Sequence, residues 1–98
     1  MDDKELAYLE YLALARFTAI QEASASIRLG SHCEAGEAVH FALDLHGSIS
    51  ELLAASEGDR DLRVFLDAQV KIGCLLDQII GALRLLRTAG NRDATVWL

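Results

Sequence analysis

Along most of this chain apolar residues recur at intervals of three and four, the period of a helix that buries one side. The pattern is cleanest in the middle. Ala35, Val39, Ala42, Leu43, His46, Ile49 and Leu53 share one side, while Cys33, Glu37, His40, Asp44, Ser48 and Glu51 share the other. This predicts a helix over about 32–57. Ser31-His32-Cys33-Glu34 has the Ser-x-x-Glu form of a capping box, and Gly30 suits the left-handed residue that closes a preceding helix. A helix that ends within about two residues of the next start must run antiparallel to it. Gly58-Asp59 reads the same way, as a closing glycine followed by an N-cap.

The first helix is predicted over about 3–29 and the third over about 59–88, with 89–98 as a tail. Helix one carries two apolar stripes: Leu6, Leu9, Ala13, Phe17, Ile20 and Ile27, then Tyr8, Leu12, Ala15, Ala19 and Ala23 flanked by Tyr11 and Leu14. One stripe serves the internal core, which leaves the second for a partner. On that sorting Leu12→Glu keeps helicity and weakens association. Helix three lines its core side with Leu62, Phe65, Leu66, Ile72, Leu76, Ile79, Ile80 and Leu83, and its wet side with Arg63, Asp67, Lys71, Cys74 and Gln78. Gly90-Asn91 closes it, and Trp97 in the tail either folds back over the open end of the bundle or docks on a second subunit or client.

Composition agrees with long helices: 52% of residues are hydrophobic, 6% aromatic, and there is no proline. Ninety-eight residues make one domain, 1–98, with a core modest enough to favour a homodimer. The fold class expected is all-α, an antiparallel up-down-up bundle of three long helices. A net charge of −6 argues against nucleic acid and against an anionic membrane surface. Cys33 and Cys74 fit a reducing compartment. The acidic start MDDKE is no signal peptide, and no apolar run approaches a membrane span. A complete cytoplasmic chain is the expectation.

Chemistry-bearing patterns are few. Glu37-Ala38-Val39-His40 is the one Glu-x-x-His string, where carboxylate di-iron bundles need a second plus facing glutamates. Cys33, Glu37, His40 and Asp44 extend too far along one polar face to share an ion. No nucleophile has a neighbouring base, and no glycine-rich loop follows a strand. No catalytic residue, metal or cofactor is assigned, and the protein is read as a non-enzyme. His46, alone on an apolar side, is a core histidine satisfied by one hydrogen bond or a pH-sensitive interface contact.

Ile27-Arg28-Leu29-Gly30-Ser31, then Ala42 through Ile49-Ser50-Glu51-Leu52-Leu53, then the helix after Gly58, resembles in order and spacing the flagellin-specific export chaperones of bacteria, the FliS family. The resemblance implies a cytosolic chaperone that binds the helical end of an unassembled secreted subunit. The residues alone point to a protein-binding module that holds a partner unassembled or inactive. Its candidate surface is Tyr8, Tyr11, Leu12, Ala15 and Ala19 with Trp97. The alternative is a small acidic regulator, an anti-activator, antitoxin or immunity protein, steered by its carboxylates toward a basic partner.

Overall fold

The computed structural model describes residues 2–56 and 62–88. They form α1 (Asp3–Arg28), α2 (His32–Ala55) and α3 (Arg63–Thr88), with no strand among the described residues. The fold is all-α. Helix ends agree with the pattern to within a few residues. The turn at Gly58-Asp59, the closing Gly90-Asn91 and Val96-Trp97-Leu98 lie outside the described residues.

Local chemistry sets the α1 ends. The Asp2 carboxylate accepts from the Glu5 N–H at 2.8 Å, satisfying a first-turn donor. At the other end Gly30 takes φ 80°. The Ser31 N–H donates to the Ser26 carbonyl at 2.8 Å and the Gly30 N–H to Ile27 at 3.1 Å, a Schellman closure. The capping box does not form: Ser31 makes no side-chain cap bond, and its N–H, the donor that Glu34 would need for the other half of the box, is committed to Ser26.

Leu9 and Leu12 meet Ile49, Leu53 and Leu62 at one end of the molecule. Ala23 meets Ala35, Val39 and Leu83 at the other, and Ala19, Ala42 and Leu76 lie between. The chain therefore runs up, down and up, in a rod of 48 × 18 × 18 Å. The α1/α2 contact is built from small residues (Ala19, Ala23, Ala35, Ala42), so these two backbones run close over much of their length. Helix α3 approaches α2 over a shorter stretch and reaches the hairpin through leucine and isoleucine side chains.

Two sequence expectations need correction. Leu12 is 4% exposed and Ala19 2%, so both belong to the core of the single chain rather than to a free second stripe. In a three-helix bundle each helix touches two neighbours, and the apolar wedge of α1 is wide because it serves both α2 and α3. Leu66 and Phe17 are the reverse case: assigned to the core side of α3 and to the core stripe of α1, they are 49% and 57% exposed.

Candidate interaction groove and the buried polar layer

Each helix carries an almost unbroken seam of buried or half-buried residues at alternating spacings of three and four. On α1 it is Leu9, Leu12, Arg16, Ala19 and Ala23; on α2 Val39, Ala42, His46, Ile49 and Leu53; on α3 Phe65, Gln69, Ile72 and Leu76, preceded by Leu62 just before the helix. One polar residue interrupts each seam. The antiparallel register brings Arg16, His46 and Gln69 to the same level, between the Leu9/Leu12 cluster and the Ala19/Ala42/Leu76 cluster.

Arg16 is 2% exposed. Its Nη1 donates to His46 Nδ1 at 2.9 Å and also to Gln69 Oε1. The Gln69 amide nitrogen donates in turn to the His46 backbone carbonyl at 3.1 Å and to Ser50 Oγ at 2.7 Å. Gly73 leaves space on the far side of the ring, since a Cβ there would stand 3.4 Å from His46 Nε2. No carboxylate among the described residues pairs with Arg16, and its Nε is buried without a partner. Burial lowers the Arg16 pKa, yet guanidinium stays charged at any ordinary pH. His46 must then be the neutral partner. Burial first, and next the Arg16 charge, hold its pKa below the usual histidine value, against a smaller opposing pull from Asp77. Accepting at Nδ1 leaves the remaining proton on Nε2.

Such a layer has a structural effect and no reactive geometry. Among the described residues it contains no nucleophile held by a base; Ser50 Oγ accepts from the Gln69 amide and has no basic partner among them. Only one alignment of the helices satisfies these donors and acceptors, so sliding a helix by a turn would bury a bare guanidinium.

The other face of the α1/α2 hairpin is uncovered among the described residues. Two adjoining pockets of about 320 and 520 Å³ share Glu22 and Phe41. Tyr11, Leu14 and Ala15 wall the first; Ala25, Leu29 and Ala38 wall the second. Among the described residues, none from α3 and no basic one lines either pocket. Tyr11, Leu14 and Phe41 are 66%, 65% and 55% exposed. Thr18 turns its hydroxyl back onto the Leu14 carbonyl at 3.1 Å, which removes a free donor from the wall. The carboxylates Glu22, Glu34 and Glu37 stand along the groove.

Of the sequence candidates, Tyr8, Tyr11 and Ala15 lie on this outer side of α1, Tyr8 52% exposed and Ala15 half-buried. Leu12 turns inward, Ala19 is buried but contributes to the lining of the first pocket, and Trp97 lies outside the described residues. Leu14 and Phe41, which the sequence reading left out of the candidate surface, complete the groove; Phe41 carried no signal, because its neighbours on α2 are mostly polar. Cys33, Glu37, His40 and Asp44 stay spread along α2, and no group of three or more His, Cys, Asp or Glu among the described residues could hold a metal. No described helix is long and apolar enough to cross a membrane.

Comparison with protein-family models, with characterised proteins and with solved structures finds no match to this chain.

Proposed function

We propose that this protein is a non-enzymatic helical binding module that holds a partner protein in an unassembled or inactive state, in the manner of an export chaperone. The observation that carries the reading is the open α1/α2 groove. It has an apolar floor, two aromatic side chains more than half exposed, and no segment of the described chain across it. A groove of this form accepts an amphipathic helix, which gains roughly 25 cal/mol per Å² of apolar surface covered before the costs of association. The aromatic anchors Tyr11 and Phe41 are the residue types that dominate such contacts. A homodimer belongs to the same reading, seated on the outer row of α3, where Val64, Leu75 and Ala82 share one exposed side. So does a cytosolic setting, with Cys33 and Cys74 as free thiols.

The test compares affinity capture from the native lysate by the wild-type chain and by Leu14→Glu/Phe41→Glu. Both replaced side chains are exposed, so helicity by circular dichroism should be unchanged. The wild type should retain a stoichiometric protein that the variant loses. An unassembled secreted subunit in that position supports the chaperone form, and a regulator or toxin supports the sequestering form. Equal retention by both chains would remove the groove from the account.

A further inference from the structure

We infer that the occupant of the α1/α2 groove is a basic amphipathic helix of a partner protein, completing a four-helix arrangement with Lys or Arg set against Glu22, Glu34 and Glu37. This rests on the reading of the groove as a partner site and adds the chemistry of the partner.

Three observations support a helix of that charge. First, the hairpin presents two furrows, one on each side of the α1/α2 plane, and the chain itself fills one with a helix. Helix α3 lays Ile72, Leu76 and Leu83 against α1 and α2. The opposite furrow is bounded by the same two helices, and ridge-into-groove packing admits a helix there for the same geometric reason. Second, the furrow is long. Its lining runs from Tyr11 to Leu29 along α1, roughly 27 Å at 1.5 Å per residue, enough for about eighteen residues of helix. Third, its charge has one sign among the described residues: three carboxylates and no basic side chain. The floor is apolar toward Tyr11 and becomes acidic toward the α1/α2 turn, so the complementary helix places its basic residues at that end.

A second copy of this chain fits less well. Its own net charge is −6. Glu22, shared by both pockets, stands near mid-groove, so a two-fold pairing of grooves would set it against its own counterpart.

The full chain can be titrated with two labelled eighteen-residue synthetic peptides that share one Leu/Ala stripe. One carries Lys and Arg on its flanks and the other Glu, and binding is read by fluorescence anisotropy. The basic peptide should bind about tenfold more tightly than the acidic one. Glu22→Gln/Glu34→Gln/Glu37→Gln should abolish that preference and leave the acidic peptide no weaker. Asp44→Asn/Glu51→Gln/Asp67→Asn, the same charge change made at exposed positions outside the groove, should keep most of it. Phe41→Glu should weaken both peptides. Equal binding of the two peptides, or a preference lost equally in both triple variants, overturns the charge assignment while the groove stands, provided Phe41→Glu still weakens binding. Binding of neither peptide, or binding indifferent to Phe41→Glu, overturns the groove reading with it. A wild-type dimer in sedimentation equilibrium that Phe41→Glu dissociates would make a second copy the occupant and also overturn the proposal.

Discussion

The two furrows of the α1/α2 hairpin have opposite characters. The one under α3 is closed around a buried cation and is exacting in its hydrogen bonds; the other is open, apolar and bordered by anions. In the closed furrow, the acceptors of Arg16 among the described residues are neutral, His46 Nδ1 and Gln69 Oε1. Replacing such a layer by well-packed apolar residues is often neutral or stabilising, whereas removing one member is not. Its contribution is therefore the alignment of three helices rather than net stability. The open furrow has no such constraint. Its anchors are side chains that touch little within the chain, so they are available to whatever covers them. One furrow specifies the fold and the other leaves a place for a partner.

The largest contrast should come from two leucines on the same helix. Leu12→Glu buries an unpaired carboxylate among Leu9, Ile49, Leu53 and Leu62 and should cost more than about 4 kcal/mol, comparable with the entire stability of a domain this size. Leu14→Glu, at a position 65% exposed, should change stability by less than about 0.5 kcal/mol. Urea unfolding of the two variants reads the difference, and similar midpoints would mean that the two furrows are wrongly assigned.

A smaller loss is expected from Arg16→Ala, about 2–4 kcal/mol, because it leaves both a cavity and two half-buried acceptors without their donor. Arg16→Leu/His46→Leu/Gln69→Leu should recover most of that loss while loosening helix register. Guanidinium denaturation measures the first expectation, and broadened amide resonances in the triple variant would report the second. A triple variant as unstable as Arg16→Ala would show that the layer itself holds the bundle together.

Smaller again is the effect of pH, since His46 is only half-buried and Asp77 opposes the shift. Above about pH 6.5, the ordinary histidine value, neither the folded nor the unfolded chain protonates His46, and its contribution is fully present. Below that value the unfolded chain takes up a proton that the folded chain resists, so stability declines as pH falls toward the lower folded value. His46→Gln should show a smaller drop in urea midpoint between pH 7.5 and 5.5 than the wild type. Equal drops would assign the acid sensitivity to other groups.

The helices themselves were legible because their period is strong and Gly30 marks a turn that only a left-handed residue closes. The core side of α2 could be read directly: Ala35, Val39, Ala42, Ile49 and Leu53 are all buried. The polar layer was half-legible. His46 stands out on an apolar side, but Arg16 and Gln69 look like surface residues until the three seams are aligned in antiparallel register, when each falls on a core position. Leu12 and Leu14 show the limit most plainly. In a helix apolar most of the way round, periodicity cannot tell which part of the wedge meets a neighbour, and only the placement of α3 decides that Leu12 is inside and Leu14 outside. Ser31 shows the same limit at atomic scale, where a turn hydrogen bond to Ser26 competes with the capping box for one N–H.

The most direct test of the central claim is photo-crosslinking in cells with p-benzoylphenylalanine placed at position 41 in the open groove, and separately at position 70 on the exposed outer side of α3. Position 41 should yield a discrete adduct with a different protein, through a helical segment carrying basic residues, while position 70 yields none to that protein. An adduct from position 70 alone, or one from position 41 that joins two copies of this chain, would contradict the account.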